Sequence, residues 1–324
     1  MNSMQPDDRT IFADVSDIFE LSNPAIVEKD YYVVQLLKLM SPLTFECHKM
    51  VFSGGTALAK ANIKLQRMSE DIDIKLVVGP NAAGKSKNAM KELRKAIKGF
   101  LVELINNTGC LQVDPEKIVC RDEHRYIEIP VQYPQAYNQA PCLRPYIKLE
   151  LIETDLLAGY TTMSICSLHN EALSMKPEVP AFNTVPLIST QAEKVLSMLR
   201  RTASVSRDPS RPDDESLVRH IYDTHRLQQT QPSDPVELAD LIASGMRMDR
   251  DRYGRQHKEF ADDPLAEMRY GLAVIAEDPR YRERYEAFVG PMVYGDALPW
   301  DVAFTAFSGV ANQALDYIEQ HELI

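Results

Sequence analysis

Asp71 and Asp73 stand one residue apart at the head of a β-patterned run, Ile72 to Val78. Side chains two apart in a strand leave the same face, so the two carboxylates are held side by side. At about 4 Å and an effective dielectric of about 20 they repel by about 4 kcal/mol, and a bound cation removes that penalty. Oxygen donors at this spacing suit Mg²⁺ shared with substrate phosphates. A neighbouring strand offers a third. Pro145-Tyr146-Ile147-Lys148-Leu149-Glu150-Leu151-Ile152 alternates with period two, which puts Lys148 and Glu150 on one face and Leu149 and Leu151 on the other. Glu150 completes a candidate metal set of Asp71, Asp73 and Glu150, and Lys148 offsets part of its charge.

Upstream, Phe52-Ser53-Gly54-Gly55-Thr56-Ala57-Leu58 reads as a short strand, a glycine turn and the start of a helix. Adjacent glycines allow positive φ and close approach of backbone to a ligand. The helix opened by Thr56 presents free N–H groups, so Gly54, Gly55 and Thr56 are candidate phosphate ligands. Alone, an Asp-x-Asp pair is as readily a solvated turn and a Gly-Gly pair a plain one. Their order, with the later Glu150 strand, points to chemistry.

A rival motif competes. Gly79-Pro80-Asn81-Ala82-Ala83-Gly84-Lys85-Ser86 matches G-x-x-x-x-G-K-[ST] between an apolar strand and a helix. A P-loop NTPase is therefore the alternative reading, ranked second. Its strand begins on two aspartates it does not need, and no later apolar run ends in the Asp such enzymes use for magnesium. A catalytically inactive binding protein of the same fold is a further alternative. The helix after this motif carries six cations from Lys85 to Lys98 against one acid, Glu92, a local net charge of +5. Lys91, Arg94, Lys95 and Lys98 are candidate contacts for an RNA backbone, set against an ordinary solvated helix face.

The elements that must position these groups follow from periodicity. Asn23 caps a helix from Pro24 to Met40, ended by Pro42. Residues 57–64 and 86–107 read as helices; Val51 to Ser53, Ile72 to Val78, Tyr126 to Tyr133 and Pro145 to Glu153 read as strands. Residues 1–22 look like a loose polar start. Lys176 to Pro186 reads as a Pro-rich connector, and Arg207 to Asp214 as a mobile loop. Beyond it the pattern is helical at 189–202, 214–229, 235–247, 264–277 and 301–320. The expected fold is α+β: a mixed sheet with flanking helices over residues 1–180, then an α-helical domain over 181–324 that closes the cleft.

Composition sets the outer limits. The 324 residues are 44% hydrophobic and 26% charged, an ordinary globular balance. A net charge of −11 excludes a basic whole-surface nucleic-acid binder but not a local patch. Five cysteines without a CxxC support no zinc ribbon and fit reduced thiols. No signal peptide or membrane span is legible, so a cytoplasmic protein with no membrane partner is expected.

Gly54-Gly55-Thr56-x-Leu58 followed by Arg67-Met68-Ser69-Glu70-Asp71-Ile72-Asp73 resembles the signature of the AbiEii/AbiGii toxin family, within the polymerase-β-like nucleotidyltransferases. MenT-type toxins belong to the same broader group. Glu28-Lys29-Asp30-Tyr31-Tyr32-Val33 resembles the family's N-terminal helix motif, Ala192-Glu193-Lys194-Val195-Leu196 with Arg200-Arg201 its third, and Arg219 to Leu227 its fourth. His220 stands where the family carries an acid, and the gap from Lys194 to Asp223 is long. The resemblance implies magnesium-dependent nucleotidyl transfer, with Mn²⁺ as a substitute ion, from an NTP to an acceptor such as a tRNA 3′ end. Asp71, Asp73, Glu150, Lys194 and Asp223 would be catalytic, and Gly54, Gly55, Thr56, Ser69 and Lys194 would bind the nucleotide. A structural Lys194–Asp223 ion pair is the plainer alternative. The resemblance also implies the toxin half of a toxin–antitoxin or phage-defence pair, with a cognate antitoxin as partner.

Overall fold

In the computed structural model, which describes residues 8–324 except 22, 62, 64, 139–142 and 296, Asn23 accepts the Ala25 N–H at 2.8 Å and starts the helix at Pro24 as its sequence predicts. The first compact unit comprises Met1–Asn62 and Arg67–Val185. Its elements are α1 (Asp8–Ile18), α2 (Pro24–Met40), β1 (His48–Ser53), α3 (Gly54–Ala59), β2 (Ile72–Val78), α4 (Lys87–Asn106), β3 (Gln112–Val113), β4 (Val119–Arg121), β5 (Tyr126–Gln132), β6 (Ile147–Glu153), β7 (Thr161–Ile165), α5 (Leu168–Ala172) and β8 (Val179–Thr184). The sheet order is β3-β5-β6-β2-β1-β8-β7, with β4 also on the outer edge of β5. It is mixed: β2 runs antiparallel to β1 and parallel to β6.

Alternation divides the sheet into two chemically different faces. Phe52, Ile72, Ile74, Leu76, Ile127, Ile129, Leu149 and Leu151 point to one side. There they share a core with Val33, Leu36, Leu37 and Met40 of α2 and Ile97, Leu101 and Ile105 of α4. On the other side Ser53 pairs with Asp73, Asp73 with Glu150, and Glu150 with Glu128, a row across four strands.

Three expectations change. The Pro-rich stretch from Lys176 contains β8, which lies parallel to β1. Its Pro180 falls at a bulge against β7, where a missing N–H costs no ladder bond. Of residues 1–22, expected to be a loose start, Asp8–Ile18 form α1 with Phe12 and Val15 buried, while residues 1–7 lie outside the described residues. The basic stripe on α4 lies on the apolar side of the sheet, away from the carboxylates. Arg94 leaves the set of RNA contacts: it is 1% exposed. Its Nη1 donates to the two Glu153 oxygens at 2.9 and 2.8 Å, and its Nε to the Glu123 carbonyl at 3.1 Å. Glu153 also receives His48 Nε2 at 2.8 Å and Arg125 Nε at 3.3 Å. Lys95 is exposed, and Lys91 and Lys98 are half-buried.

The second unit comprises Ile63–Gln66 and Pro186–Ile324. It contains α6 (Leu187–Arg207), α7 (Arg219–Thr230), α8 (Pro235–Tyr253), α9 (Lys258–Asp262), α10 (Pro264–Glu277), α11 (Pro279–Met292) and α12 (Trp300–Gln320). Asp-Pro pairs open three of them. Asp234, Asp263 and Asp278 accept the N–H groups of Val236, Ala266 and Arg280 at 3.0, 2.9 and 3.0 Å. Pro at the first helical position fixes φ without losing a needed donor. The loop after α6 is held by Arg211, which donates to Ser204 Oγ at 2.6 Å. Leu65 and Gln66 are held in this unit by Tyr222 Oη, donating to the Leu65 carbonyl at 2.8 Å, and by the Tyr294 N–H, donating to the Gln66 carbonyl at 2.9 Å. Among the described residues no helix is long and apolar enough to cross a membrane. Cys47, Cys110, Cys120 and Cys166 are free, while Cys142 lies outside the described residues.

Removing one partner of a buried ion pair strands the other charge, at a cost of about 3–5 kcal/mol. Arg94→Ala is therefore expected to lower stability by about that much in urea unfolding, and Lys95→Ala by under about 0.5 kcal/mol.

Candidate active site

The site grows from the row of polar residues on the other face of the sheet. Gly54, at the turn between β1 and α3, has φ +79, which favours glycine. A Cβ there would lie 1.9 Å from Asp73 Oδ2, so the carboxylate packs against bare backbone. Loss of hydration first, then the charges of Glu150 and Asp71, push the Asp73 carboxyl up to about 8, and it shares a hydrogen bond with Glu150. A proton there does what a cation would do between the two carboxylates. Burial works against the Glu150 charge, but the Tyr126 hydroxyl and Lys148 outweigh it and hold its pKa below the usual range. Tyr126 Oη donates to Glu150 at 2.5 Å and also lies 2.8 Å from Glu128, while Lys148 Nζ reaches Glu150 at 2.9 Å.

Asp71 sits two residues before Asp73, beyond the end of β2. Its oxygens lie 2.5 Å from Arg144 Nη1 and 3.6 Å from Lys148 Nζ. Asp71, Asp73 and Glu150 are thus gathered on one face, compensated by a proton and two cations of the chain itself. Among the described residues, no three His, Cys, Asp or Glu side chains already stand at metal-ligand spacing. The donor set nevertheless fits a hard divalent ion: it is all oxygen, sits against an open glycine backbone, and holds a proton that a cation would displace.

The glycine turn is braced from beside it. A Cβ on Gly55 would lie 2.7 Å from Ser69 Oγ and 2.9 Å from Arg67 Nη2. The Thr56 hydroxyl is engaged within the fold, bonding Ser69 Oγ at 3.0 Å and the Asp71 carbonyl. Thr56 therefore fastens α3 to the head of β2 through its side chain. Ser69 joins the same bridge.

Charged residues of α2 hold the surrounding loops. Glu28 accepts the Ala136 N–H at 2.7 Å. Lys29, with its side chain wholly buried, pairs with Glu70 and donates to the Arg144 carbonyl at 2.7 Å. Asp30 pairs with Lys60 and accepts the Leu168 N–H at 2.7 Å. Sequence reading singled out this block without a physical role for it. It missed Tyr126 and Glu128, although strand alternation puts both on the Glu150 face. Nothing in the sequence marks Arg144.

The other candidates lie elsewhere. Gly79 to Ser86 follows the far end of β2, about 20 Å along the strand from Asp73 at about 3.3 Å per residue. Its Ser86 caps α4, accepting the Ala89 N–H at 3.2 Å, and exposed Lys85 lies 3.7 Å from Glu46. One magnesium–triphosphate could not use both places. In the helical unit, Lys194 and Asp223 form an ion pair of 2.7 Å with side chains 6% and 0% exposed. The long gap between them is taken up by the length of α6 and the turn before α7. Arg200 pairs with Asp249 at 2.8 Å and Arg201 with Asp214 at 3.1 Å.

A mixed sheet with paired carboxylates beside a Gly-Gly turn, joined to a helical unit, belongs to an enzyme of the nucleotidyltransferase class. The profile of the family described as nucleotidyl transferase AbiEii toxin, type IV toxin–antitoxin system, matches residues 36–306. The chain belongs to that family. Its fold is similar to that of MenT4, a nucleotidyltransferase toxin from Mycobacterium tuberculosis H37Rv, with a TM-score of 0.51, 16% identity, and 95% of this chain and 89% of that chain covered. Comparison with curated protein sequences finds no match.

Two expectations come from this geometry. Gly54→Ala must displace the Asp73 carboxylate and is expected to lower nucleotidyl transfer at least about tenfold. Gly84→Ala, at a similar φ of +78 but in open surroundings, should cost only about 1–2 kcal/mol of stability. The second concerns pH. A free Asp titrates at 3.8, and Asp73 in the fold at about 8. Between these values the folded state holds a proton the unfolded chain has lost. The stabilisation is thus complete below about pH 4 and is lost as pH rises through 8. Melting temperatures in EDTA should fall across this window, and Asp73→Asn should flatten the fall. Mn²⁺ affinity should rise up to about tenfold per pH unit, because the ion displaces that proton.

Proposed function

We propose that this toxin moves a nucleoside monophosphate from an NTP to an RNA acceptor, with Mg²⁺ held by Asp71, Asp73 and Glu150. The resemblance to MenT-type toxins points to a tRNA 3′ end. The observation that carries the reading is the row from Ser53 through Asp73 and Glu150 to Glu128, with the Asp73 carboxylate set against Gly54. The bond formed joins the acceptor hydroxyl oxygen to the α-phosphorus, and pyrophosphate leaves. An ion held by Asp71, Asp73 and Glu150 would supply Lewis-acid stabilisation of the charge on the phosphates. Gly54, Gly55, Thr56 and Ser69 shape the nucleotide's seat: the glycines allow close approach to the backbone, and the Thr56–Ser69 bridge fixes the turn. Lys194 neutralises the triphosphate or departing pyrophosphate, oriented by Asp223. Their buried ion pair supports that role, since it keeps the ammonium in one place.

Lys91, Lys95 and Lys98 lie away from the carboxylates, so their proposed role is to hold the body of the RNA. Supporting this, His124 beside them is held below its ordinary pKa, first by loss of hydration and then by Lys98, Lys91 and Lys95. Such a cluster gives a polyanion a place on an acidic protein. A cognate antitoxin counteracts the enzyme, as the type IV family implies, and defence against phage is the biological setting proposed.

Labelled NTPs incubated with purified tRNA are expected to show Mg²⁺-dependent labelling. Asp73→Ala should abolish it and Lys85→Ala leave it largely intact; the reverse pattern would move the chemistry to residues 79–86. Changing Lys91, Lys95 and Lys98 to Glu should weaken RNA binding without altering NTP binding. The wild-type log–log salt slope should be roughly −0.7 to −0.9 per phosphate contact. RNA binding unchanged by the three reversals would make the stripe a solvated helix face.

A further inference from the structure

Arg144 is anchored more firmly than a counter-ion requires. Its N–H donates to Glu70 Oε2 at 2.9 Å, and its carbonyl accepts Lys29 Nζ at 2.7 Å. Both backbone groups of one loop residue are thus pinned by the two halves of a buried ion pair, Lys29 and Glu70. Such a pair is costly to desolvate, and its net stabilisation is small or negative. Here its hydrogen bonds converge on Arg144. The guanidinium then extends toward Asp71, with Nη1 at 2.5 Å from Asp71 Oδ1 and 3.3 Å from Glu70 Oε1. Among the described residues, its side chain bonds only through Nη1, and it is 42% exposed. Nε and Nη2 are therefore donors left to spend at the lip of the carboxylate site.

We propose that Arg144 binds the triphosphate of the incoming NTP, and that Lys29 and Glu70 are the positioning residues that present it. The assignment rests on the nucleotidyl-transfer reading of this site. A triphosphate seated at the Asp71, Asp73 and Glu150 carboxylates would have a phosphate beside Asp71. That is within the swing of a guanidinium already touching Asp71. With only Nη1 engaged among the described residues, the planar guanidinium can take a phosphate through its two other nitrogens. The class of ligand is a polyphosphate: a nucleoside or its monophosphate lacks the groups this fork would grip.

The test is calorimetric titration of the full chain, with Mn²⁺, against α,β-methylene analogues of the four NTPs and against the four monophosphates. Arg144→Ala is expected to weaken the preferred triphosphate analogue by about ten- to a hundredfold, with Arg144→Lys intermediate and monophosphate binding within about twofold. Mn²⁺ binding without nucleotide, read by electron paramagnetic resonance, should not weaken, since a competing cation is gone. Lys29→Met and Glu70→Gln should each reduce triphosphate affinity. Added to Arg144→Ala they should cost little more, whereas purely structural damage would add in full. Triphosphate binding unchanged in Arg144→Ala, in a wild-type protein that does bind the analogue, would overturn this assignment alone and leave Arg144 a counter-ion of Asp71. A wild-type protein that binds no triphosphate analogue would overturn the nucleotidyl-transfer reading as well.

Discussion

Crowding of like charge on one face of a sheet is the constraint that organises this protein. Asp73, Glu150 and Glu128 stand abreast on three adjacent strands, and Asp71 lies two residues from Asp73. Left alone, such a group would drive the strands apart or empty the site of charge. Each member is instead given a specific compensation. Asp73 keeps a proton, Glu150 takes Lys148 and the Tyr126 hydroxyl, and Asp71 faces Arg144 and Lys148. A proton and cationic side chains are compensations that could be exchanged for the proposed metal and phosphates without refolding the sheet.

Holding that row in place falls to α2. Glu28, Lys29 and Asp30 follow one another in a helix, so their side chains fan out at about 100° intervals. Each meets a different loop: Glu28 the segment at Ala136, Lys29 the segments at Glu70 and Arg144, Asp30 the ends of α3 and the start of α5. Consecutive buried charges would be costly in a helix meant only for packing. In this one they tie irregular backbone around a regular sheet, and the apolar residues Val33 to Met40 anchor the same helix to the core.

The two faces of the sheet divide the labour. The apolar face carries α2, α4 and the Glu153 cluster, in which Arg94, His48 and Arg125 converge on one carboxylate. The polar face carries Asp73, Glu150 and Glu128, the carboxylates of the candidate site. Residues 79–86 copy the letters of a phosphate loop, yet they follow the end of β2 opposite Asp73. The helical unit is a separate piece of construction, its helices begun by Asp-Pro pairs and its Lys194–Asp223 pair sealed between α6 and α7.

Local pattern was enough for much of this. Period-two alternation put Asp73 and Glu150 on faces away from Ile72, Ile74, Leu149 and Leu151. The Gly-Gly turn beside an Asp-x-Asp strand pointed to phosphate and metal binding, the family resemblance implied nucleotidyl transfer, and caps such as Asn23-Pro24 marked where helices begin. These features depend on residues within a few positions of one another. What depended on distant partners was not legible. A Pro-rich stretch became β8 because β1 and β7 offered edges to pair with. Arg94 was counted with the surface lysines because only the fold brings Glu153, some sixty residues away, against it. Sequence supplied the carboxylates of the site; tertiary structure decided which cations, protons and hydroxyls stand against them, since charge compensation is settled by distance in space and not along the chain.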